Sequence, residues 1–462
     1  MGSRLTKQRV AAAGLALGLL ALTACSGSST GGGSSTGESD EVTITVGNQP
    51  DDNQPEQLEL FNAQLEAFRE LHPNITIEAE ITKFDPQTFN AQLSGGTLPT
   101  TMTVPFTHVG SLIEQGAALD LTDHIDDDEI FSSLNPALNT ISQDTEGSRY
   151  GITVQAYTFG LIYNRDLYEQ VGLDPDSPPT TWDGVRENAR LISDELGATG
   201  FTIATTGNTG GWTLTAMSYS NGDTIQELDG DQATATIASP GVETSLQFLR
   251  DLRWEDESFG SNVLLETADL NTAFAAGDIG QYAGGADVYR NLVTTFEADP
   301  ESIGIGPLPQ SPDGLGTLGG GSVSIVNPTA TEAEAAAALE WVKYSYLQKY
   351  SDEDAAVADA EAAIASGVPV GLPQVPLFDE AGNEQYLSWI EDSINVNRDN
   401  YTVYLDSISA LPVVAEPAVA AGSTYGLLST VVQDVLTDPD VQAAEALAAA
   451  ESEGQALIDA ES

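Results

Sequence analysis

Cysteine is almost missing from this chain: Cys25 is the only one in 462 residues. A disulfide framework and a cysteine-based zinc site are therefore excluded, and the fold must rest on packing. Histidine is nearly as scarce. His72, His108 and His124 are the full set, and no two lie at the HExxH spacing of a metal hydrolase. Outside the Ser/Gly-rich stretch 26–37 there is no Gly-x-Ser-x-Gly that could form an elbow, and there is no P-loop. Positive charge is the third shortage, with 15 Lys and Arg against 70 Asp and Glu and a formal net charge of -55. Such a surface repels nucleic acid and anionic lipid headgroups, so a nucleic-acid partner is excluded. No apolar run reaches the ~20 residues that a spanning helix needs.

What is present begins at the N-terminus. Residues 1–10 carry Arg4, Lys7 and Arg9, residues 11–22 are largely apolar, and the stretch ends Leu22-Thr23-Ala24-Cys25. A charged start, a short apolar core and a small-residue cleavage site form a secretory signal. The cysteine after the small residues resembles the bacterial lipobox. That resemblance implies cleavage after residue 24, lipid on the Cys25 thiol, and residues 25–40, rich in Ser and Gly, as a polar tether to the outer face of the cell membrane. Cleavage there removes three cations and no acid. The remaining acidity repels itself at low salt, where the Debye length is ~10 Å at 0.1 M but ~3 Å at 1 M. A salty external medium, and so a halophilic protein, is expected.

About 420 residues follow the tether, enough for two or three domains at typical sizes. Val42, Ile44 and Val46 alternate with threonines and predict a strand. Leu58, Phe61, Leu65 and Phe68 recur at helical spacing up to His72-Pro73. Ile75, Ile77, Ala79 and Ile81 predict a second strand, 89–93 a short helix, 102–104 a third strand, and Val109, Leu112 and Ile113 a helix face ending at Gly116. The pattern restarts with a β-rich stretch at 150–164 and a helix at 165–171 stopped by Gly172. Thr181 can cap a helix carrying Trp182, Val185, Ala189 and Ile192 on one face. Further strands are expected at 201–204, 279–283 and 322–326, and helices at 242–252, 270–274 and 331–350. The C-terminal third reads as helical, with Leu428, Val431, Val432 and Val435 on one face and a new helix from Asp438-Pro439. Strands alternating with helices predict an α/β architecture with a largely parallel sheet.

Two apparent motifs fail their context. Gly314-Leu315-Gly316-Thr317-Leu318-Gly319 matches GxGxxG, but a strand rather than a helix follows it. Asp126-Asp127-Asp128-Glu129 lacks the spacing of an EF-hand loop and reads as a solvated charge run. No metal, cofactor or catalytic residue is expected. With 70 acids, a carboxylate pair at any spacing says nothing about glycosidase chemistry.

Residues 159–192 read FGLIYNRDLYEQVGLDPDSPPTTWDGVRENARLI. This stretch resembles the signature of extracellular solute-binding proteins of the maltose-binding type. Phe274-Ala275-Ala276-Gly277-Asp278, Pro307-Leu308-Pro309, Gly319-Gly320-Gly321 and the 331–350 helix resemble further pieces of that family, in its order. The resemblance implies a two-lobed periplasmic-binding-protein-like α/β fold (type II), hinge-linked, with ligand in the interlobe cleft. By similarity the first lobe is 41–153 with 314–347, and the second is 154–313 with 348–462. It implies a monomeric, non-enzymatic lipoprotein that delivers a sugar or oligosaccharide to an ABC permease. A polyol or glycerophosphodiester is the alternative solute, and a surface glycosidase or adhesion lipoprotein the alternative class. The chain departs from the family at Pro99-Thr100, and at Gly284-Gly285-Ala286-Asp287, where an aromatic is frequent. A ring to stack on a sugar must then come from elsewhere.

Clefts of α/β folds form at loops after strands. That rule nominates Asn48 and Gln49 after the first strand, Thr107 and His108 after the third, and Gln155 and Tyr157 just past the expected hinge. It adds Asn208 and Trp212 in the glycine-rich loop 206–212. By resemblance, Gly285 and Asp287 occupy the second-lobe ligand loop, and Gly320 and Gly321 would let backbone approach a ligand. Trp182 and Trp341, on apolar helix faces, are assigned to the core.

Overall fold

In the computed structural model, which describes residues 41–126, 128–229, 232–408 and 410–461, the first strand forms where apolar residues alternate with threonines. Ile44 and Val46 point into the core and Val42 is half-buried. The expected signal peptide, the tether and Cys25 lie outside the described residues. Ten strands follow in chain order: β1 Val42–Val46, β2 Ile75–Ala79, β3 Thr101–Pro105, β4 Ile152–Asn164, β5 Gln226–Asp229, β6 Gln232–Ala235, β7 Gln281–Gly285, β8 Ile303–Pro307, β9 Thr317–Val326 and β10 Val413–Ala415.

One sheet runs in the order β2-β1-β3-β9-β4-β7, with β10 added on β9 and β8 on β4. β1 is parallel to β2 and β3, and β10 to β9. The pairs β3–β9, β4–β9, β4–β7 and β4–β8 are antiparallel. The sheet is therefore mixed, which corrects the expectation of a largely parallel one. β1, β2 and β3 form one parallel part, whereas β9 runs antiparallel to β3, and β4 to β9, β7 and β8. β4 changes partners along its 13 residues. Residues 152–158 pair with β9, and 159–164 with β7 and β8. A bulge between Thr153 and Gln155 marks the first part.

Amphipathic helices cover this sheet. Helix Pro55–Leu71 buries Leu65 and Phe68, and the Phe68 ring meets Trp341 edge-on at 5.3 Å. Trp341 belongs to helix Glu332–Val342, which opens with a capping box between Thr331 and Glu334. That helix continues through a π-turn, Lys343–Leu347, into Gln348–Ser351. In helix Trp182–Leu196, Thr181 Oγ1 accepts from the Gly184 N–H, and Gly197 ends the helix at φ +69°. Its four predicted core residues, Trp182, Val185, Ala189 and Ile192, are all buried.

Several local expectations are overturned. Residues 201–204 form no strand. Thr202 makes one isolated parallel bridge to Tyr282, and the next bridge, Thr199–Ile279, falls before this segment, so no ladder forms. Ile81 falls beyond β2 and is 65% exposed. Asp438 and Pro439 make a turn in which the Asp438 carboxylate accepts from the Asp440 N–H, and the last helix starts later, at Ala443–Glu461. The acidic run is not simply solvated: Asp128 caps helix Glu129–Ser132 and pairs with Lys343 at 2.8 Å, and Asp126 pairs with Arg149. Hairpin β5–β6 and strands β8 and β10 were not anticipated. The GxGxxG match leads straight into β9, as its context required. Among the described residues, no helix is long and apolar enough to cross a membrane.

Candidate functional site

The site is built on the crossing of β4 and β9. Tyr157 and Gly320 are cross-strand partners. A methyl group on Gly320 would stand 2.4 Å from Tyr157 Oη, so the missing side chain is what lets the ring lie across the strand. Tyr157 Oη donates to Glu416 Oε1 at 2.9 Å, and Trp212 Nε1 donates to the same oxygen at 2.6 Å. The two rings meet edge to face at 6.2 Å, and Phe159 backs Trp212 at 4.5 Å. Three segments far apart in sequence thus converge on one carboxylate.

Trp212 is not in a loop. It lies in the first turn of helix Thr209–Ser220. Glycines 210 and 211 are buried where this helix packs on helix Ala421–Thr437, and a methyl on Gly211 would stand 2.1 Å from the Tyr425 carbonyl oxygen. Close packing, rather than a turn, is the reason for these glycines. Asn208 precedes the helix, is exposed, and has its amide beside Gly422 and Gly426.

Asp287 follows β7. A methyl on Gly285 would meet Asp287 Oδ1 at 2.5 Å and the Trp212 ring at 3.9 Å, which places these three residues together. Burial raises the Asp287 carboxyl above the usual range. Burial also raises the Tyr157 phenol, helped by the Glu416 charge and hydrogen bond and by Asp287. Both carboxylates therefore bear on Tyr157.

The remaining candidates form a second group. Asn48 adopts φ +65°, and its Oδ1 accepts from the Thr103 N–H at 2.8 Å, tying the end of β1 to β3. The Gln49 N–H donates to the Glu80 carbonyl at 2.9 Å. Thr107 Oγ1 and His108 Nδ1 are hydrogen-bonded at 2.8 Å, and the His108 ring lies 4.7 Å from Phe84. Burial lowers the His108 pKa, which favours the neutral imidazole. A methyl on Gly321 would collide with the Gln155 carbonyl oxygen at 2.0 Å and with the Phe106 ring at 2.8 Å. Gln155 lines a cavity of about 290 Å³ with Thr103, Ser322 and Lys349. Lys349 and Tyr350 also line a larger space of about 1270 Å³ beside Asn135 and Arg398. No described group of His, Asp and Glu could hold a metal.

Glu416 is the residue that sequence reasoning missed. Its signal was weak: Val413-Val414-Ala415 is a three-residue strand, and Glu416-Pro417 closes it. Tyr425 was missed as well. It is 6% exposed, its hydroxyl has no partner among the described residues, and burial, then the charge of Glu416, raises its pKa.

Residues 52–349 match the family model described as bacterial extracellular solute-binding protein. A Brucella abortus (strain 2308) chain described as a binding protein is 24% identical over 295 residues, which is 62% of this chain and 67% of the relative. The cyclic alpha-maltosyl-1,6-maltose binding protein from Arthrobacter globiformis superposes with a TM-score of 0.63 at 22% identity, covering 90% of this chain and 99% of its own. The sugar-binding protein MalE from Xanthomonas citri gives a TM-score of 0.65 at 14% identity, covering 91% and 98%.

Proposed function

Because the chain belongs to the bacterial extracellular solute-binding proteins and has their two-lobed, type II α/β fold, we propose that it captures a sugar or oligosaccharide and hands it to an ABC permease. The lobes are 41–153 with 314–347, and 154–313 with 348–462. β4 and β9 cross between them as hinge strands, and closure about these strands sequesters the solute. A lipid on Cys25 holds the protein at the outer face of the membrane. The protein carries out no covalent chemistry.

The observation that supports this reading best is the convergence of Tyr157 and Trp212 on Glu416. A pyranose has an apolar C–H face and hydroxyls in its plane. Aromatic rings suit the face, and fixed carboxylate and amide groups suit the hydroxyls. Trp212 supplies the ring that the segment after β7 lacks. Asn48, Gln49, Thr107 and His108 serve the solute from the other lobe, Gln155 serves it from β4 beside the hinge, and Gly285, Gly320 and Gly321 keep backbone open to it. Asn208 lies at the rim.

A thermal-shift screen against mono- and oligosaccharides tests the proposal. A ligand at 100 times its Kd stabilises the native state by about 2.7 kcal/mol. A cognate sugar should raise Tm without being hydrolysed, and Trp212→Ala should weaken it at least tenfold. A flat response to every sugar, or release of hydrolysis products, would overturn it.

A further inference from the structure

Charge accounting at the Tyr157 cluster narrows the solute. Glu416 and Asp287 are two carboxylates bearing on one phenol. None of the ion pairs among the described residues involves either of them. Several of the chain's few cations are committed elsewhere among the described residues. Arg186 serves Asp251, Glu255 and Asp256; Lys343 serves Asp128 and Glu340; Arg250 and Arg398 donate to backbone carbonyls. Two carboxylates that act on one phenol repel each other when no counter-ion stands between them, and a positive group placed there removes that cost.

The rest of the cluster has the form of a cation receptor. Tyr157 and Trp212 meet edge to face, and aromatic rings attract a cation electrostatically. Both rings donate to Glu416 Oε1, which fixes that carboxylate in place. Among the described residues, no donor occupies Oε2. An independent feature points the same way. The Tyr425 hydroxyl is buried with no hydrogen-bond partner among the described residues, in the field of Glu416 and Tyr157. A buried orphan hydroxyl is a standing cost that a polar ligand group can relieve.

We propose that the solute presents a protonated amine to Glu416, Asp287, Tyr157 and Trp212, so that the ligand is an amine-bearing sugar rather than a neutral one. This rests on the sugar-binding reading above and specifies its substrate class. The nitrogen sits against Glu416 Oε2 and the faces of the two rings, and an adjacent hydroxyl pairs with Tyr425. The sugar's remaining hydroxyls face the Asn48 and Thr107 side.

The test is titration calorimetry at pH 7 with three matched sets. Each set contains one hexose (glucose, galactose or mannose), its 2-amino-2-deoxy form, and the N-acetylated form of that amine. The acetyl group removes the charge and keeps the nitrogen. In at least one set the free amine should bind tenfold or more tighter than both neutral members, and Glu416→Gln should erase that preference. Gln keeps an oxygen acceptor for Tyr157 and Trp212, and its folding is checked by circular dichroism. Neutral sugars binding as tightly as amines would overturn the amine assignment and leave the carbohydrate reading standing. No response from any member would overturn the amine assignment, and the wider carbohydrate reading would then stand or fall on the thermal-shift screen with oligosaccharides.

Discussion

Asp287 carries the most informative single charge in the molecule. Its carboxyl is pushed up by burial, so the native state holds that proton more tightly than the unfolded chain does. The sign follows from linkage. Between the ordinary carboxylate range, near ~4, and the raised native pKa, the native state binds more protons than the unfolded state. Stability is thus fully present at low pH and falls as pH rises through the native pKa. Asp287→Asn removes the ionisation and should melt above the parent at pH 7 to 8. The gap should narrow as pH falls toward 4 and close below it, where the parent carboxyl is protonated in both states. A gap that stays constant from pH 4 to 8 would show that the charge is not the burden. An amine bound at the site would reverse the sign, because a protonated nitrogen stabilises the ionised carboxylate.

At the scale of elements, helix Thr209–Ser220 shows where sequence reading stops. Periodicity predicted β1, helix Pro55–Leu71 and helix Trp182–Leu196 because each buries one face and exposes another. Thr209–Ser220 is buried nearly all round, so it has no periodic stripe, and its glycine pair argues for a loop. Only contact with a helix over 200 residues away explains the glycines, and that contact cannot be seen locally. Gly211→Ala should therefore cost about 1–3 kcal/mol, typical of overpacking, because its methyl meets the rigid Tyr425 backbone. Gly110, in helix Phe106–Glu114, has nothing within 4 Å, so Gly110→Ala should be neutral or gain up to about 1 kcal/mol of helix propensity. Urea midpoints of the two variants compare them directly, and equal midpoints would sink the packing account. The same distance limit governs the site. Tyr157, Trp212, Gly285 and Asp287 were reachable as candidates from the expected hinge, the glycine-rich stretch 206–212 and the family resemblance, although the strand expected before Trp212 does not form. Glu416 was not, because its partners Tyr157 and Trp212 lie 259 and 204 residues away. Strand direction was hidden for a similar reason: alternation marks a strand without saying which end enters the sheet first.

The whole molecule is governed by its charge imbalance. With 15 basic residues against 70 acidic ones, most carboxylates have no cation to pair with. The pairs that form gather acids around few cations, as at Arg186 with Asp251, Glu255 and Asp256. That cluster is largely shielded from solvent, but it is one site, and exposed pairs elsewhere contribute little, ~0–1 kcal/mol each, so the pairs do not offset repulsion spread over the surface. Folding brings these charges closer together than they are in the unfolded chain, and the native state bears the greater repulsion. Added salt relieves it as the Debye length shrinks from ~10 Å at 0.1 M to ~3 Å at 1 M. Tm should therefore climb steeply between 0.1 and 1 M NaCl and then level off, once screening is shorter than the spacing between surface carboxylates. Sucrose in place of NaCl supplies excluded-solute stabilisation without screening, and should give no such steep early rise. A Tm that is flat or falls with NaCl would show that the acidic surface is already relieved by hydration, and would remove the argument for a high-salt habitat. The proposed site at Tyr157, Trp212 and Glu416 is half-buried, so it is screened less than the surface. Solute affinity should therefore vary with salt far less than Tm does, which separates the charge that sets stability from the charge that selects the ligand.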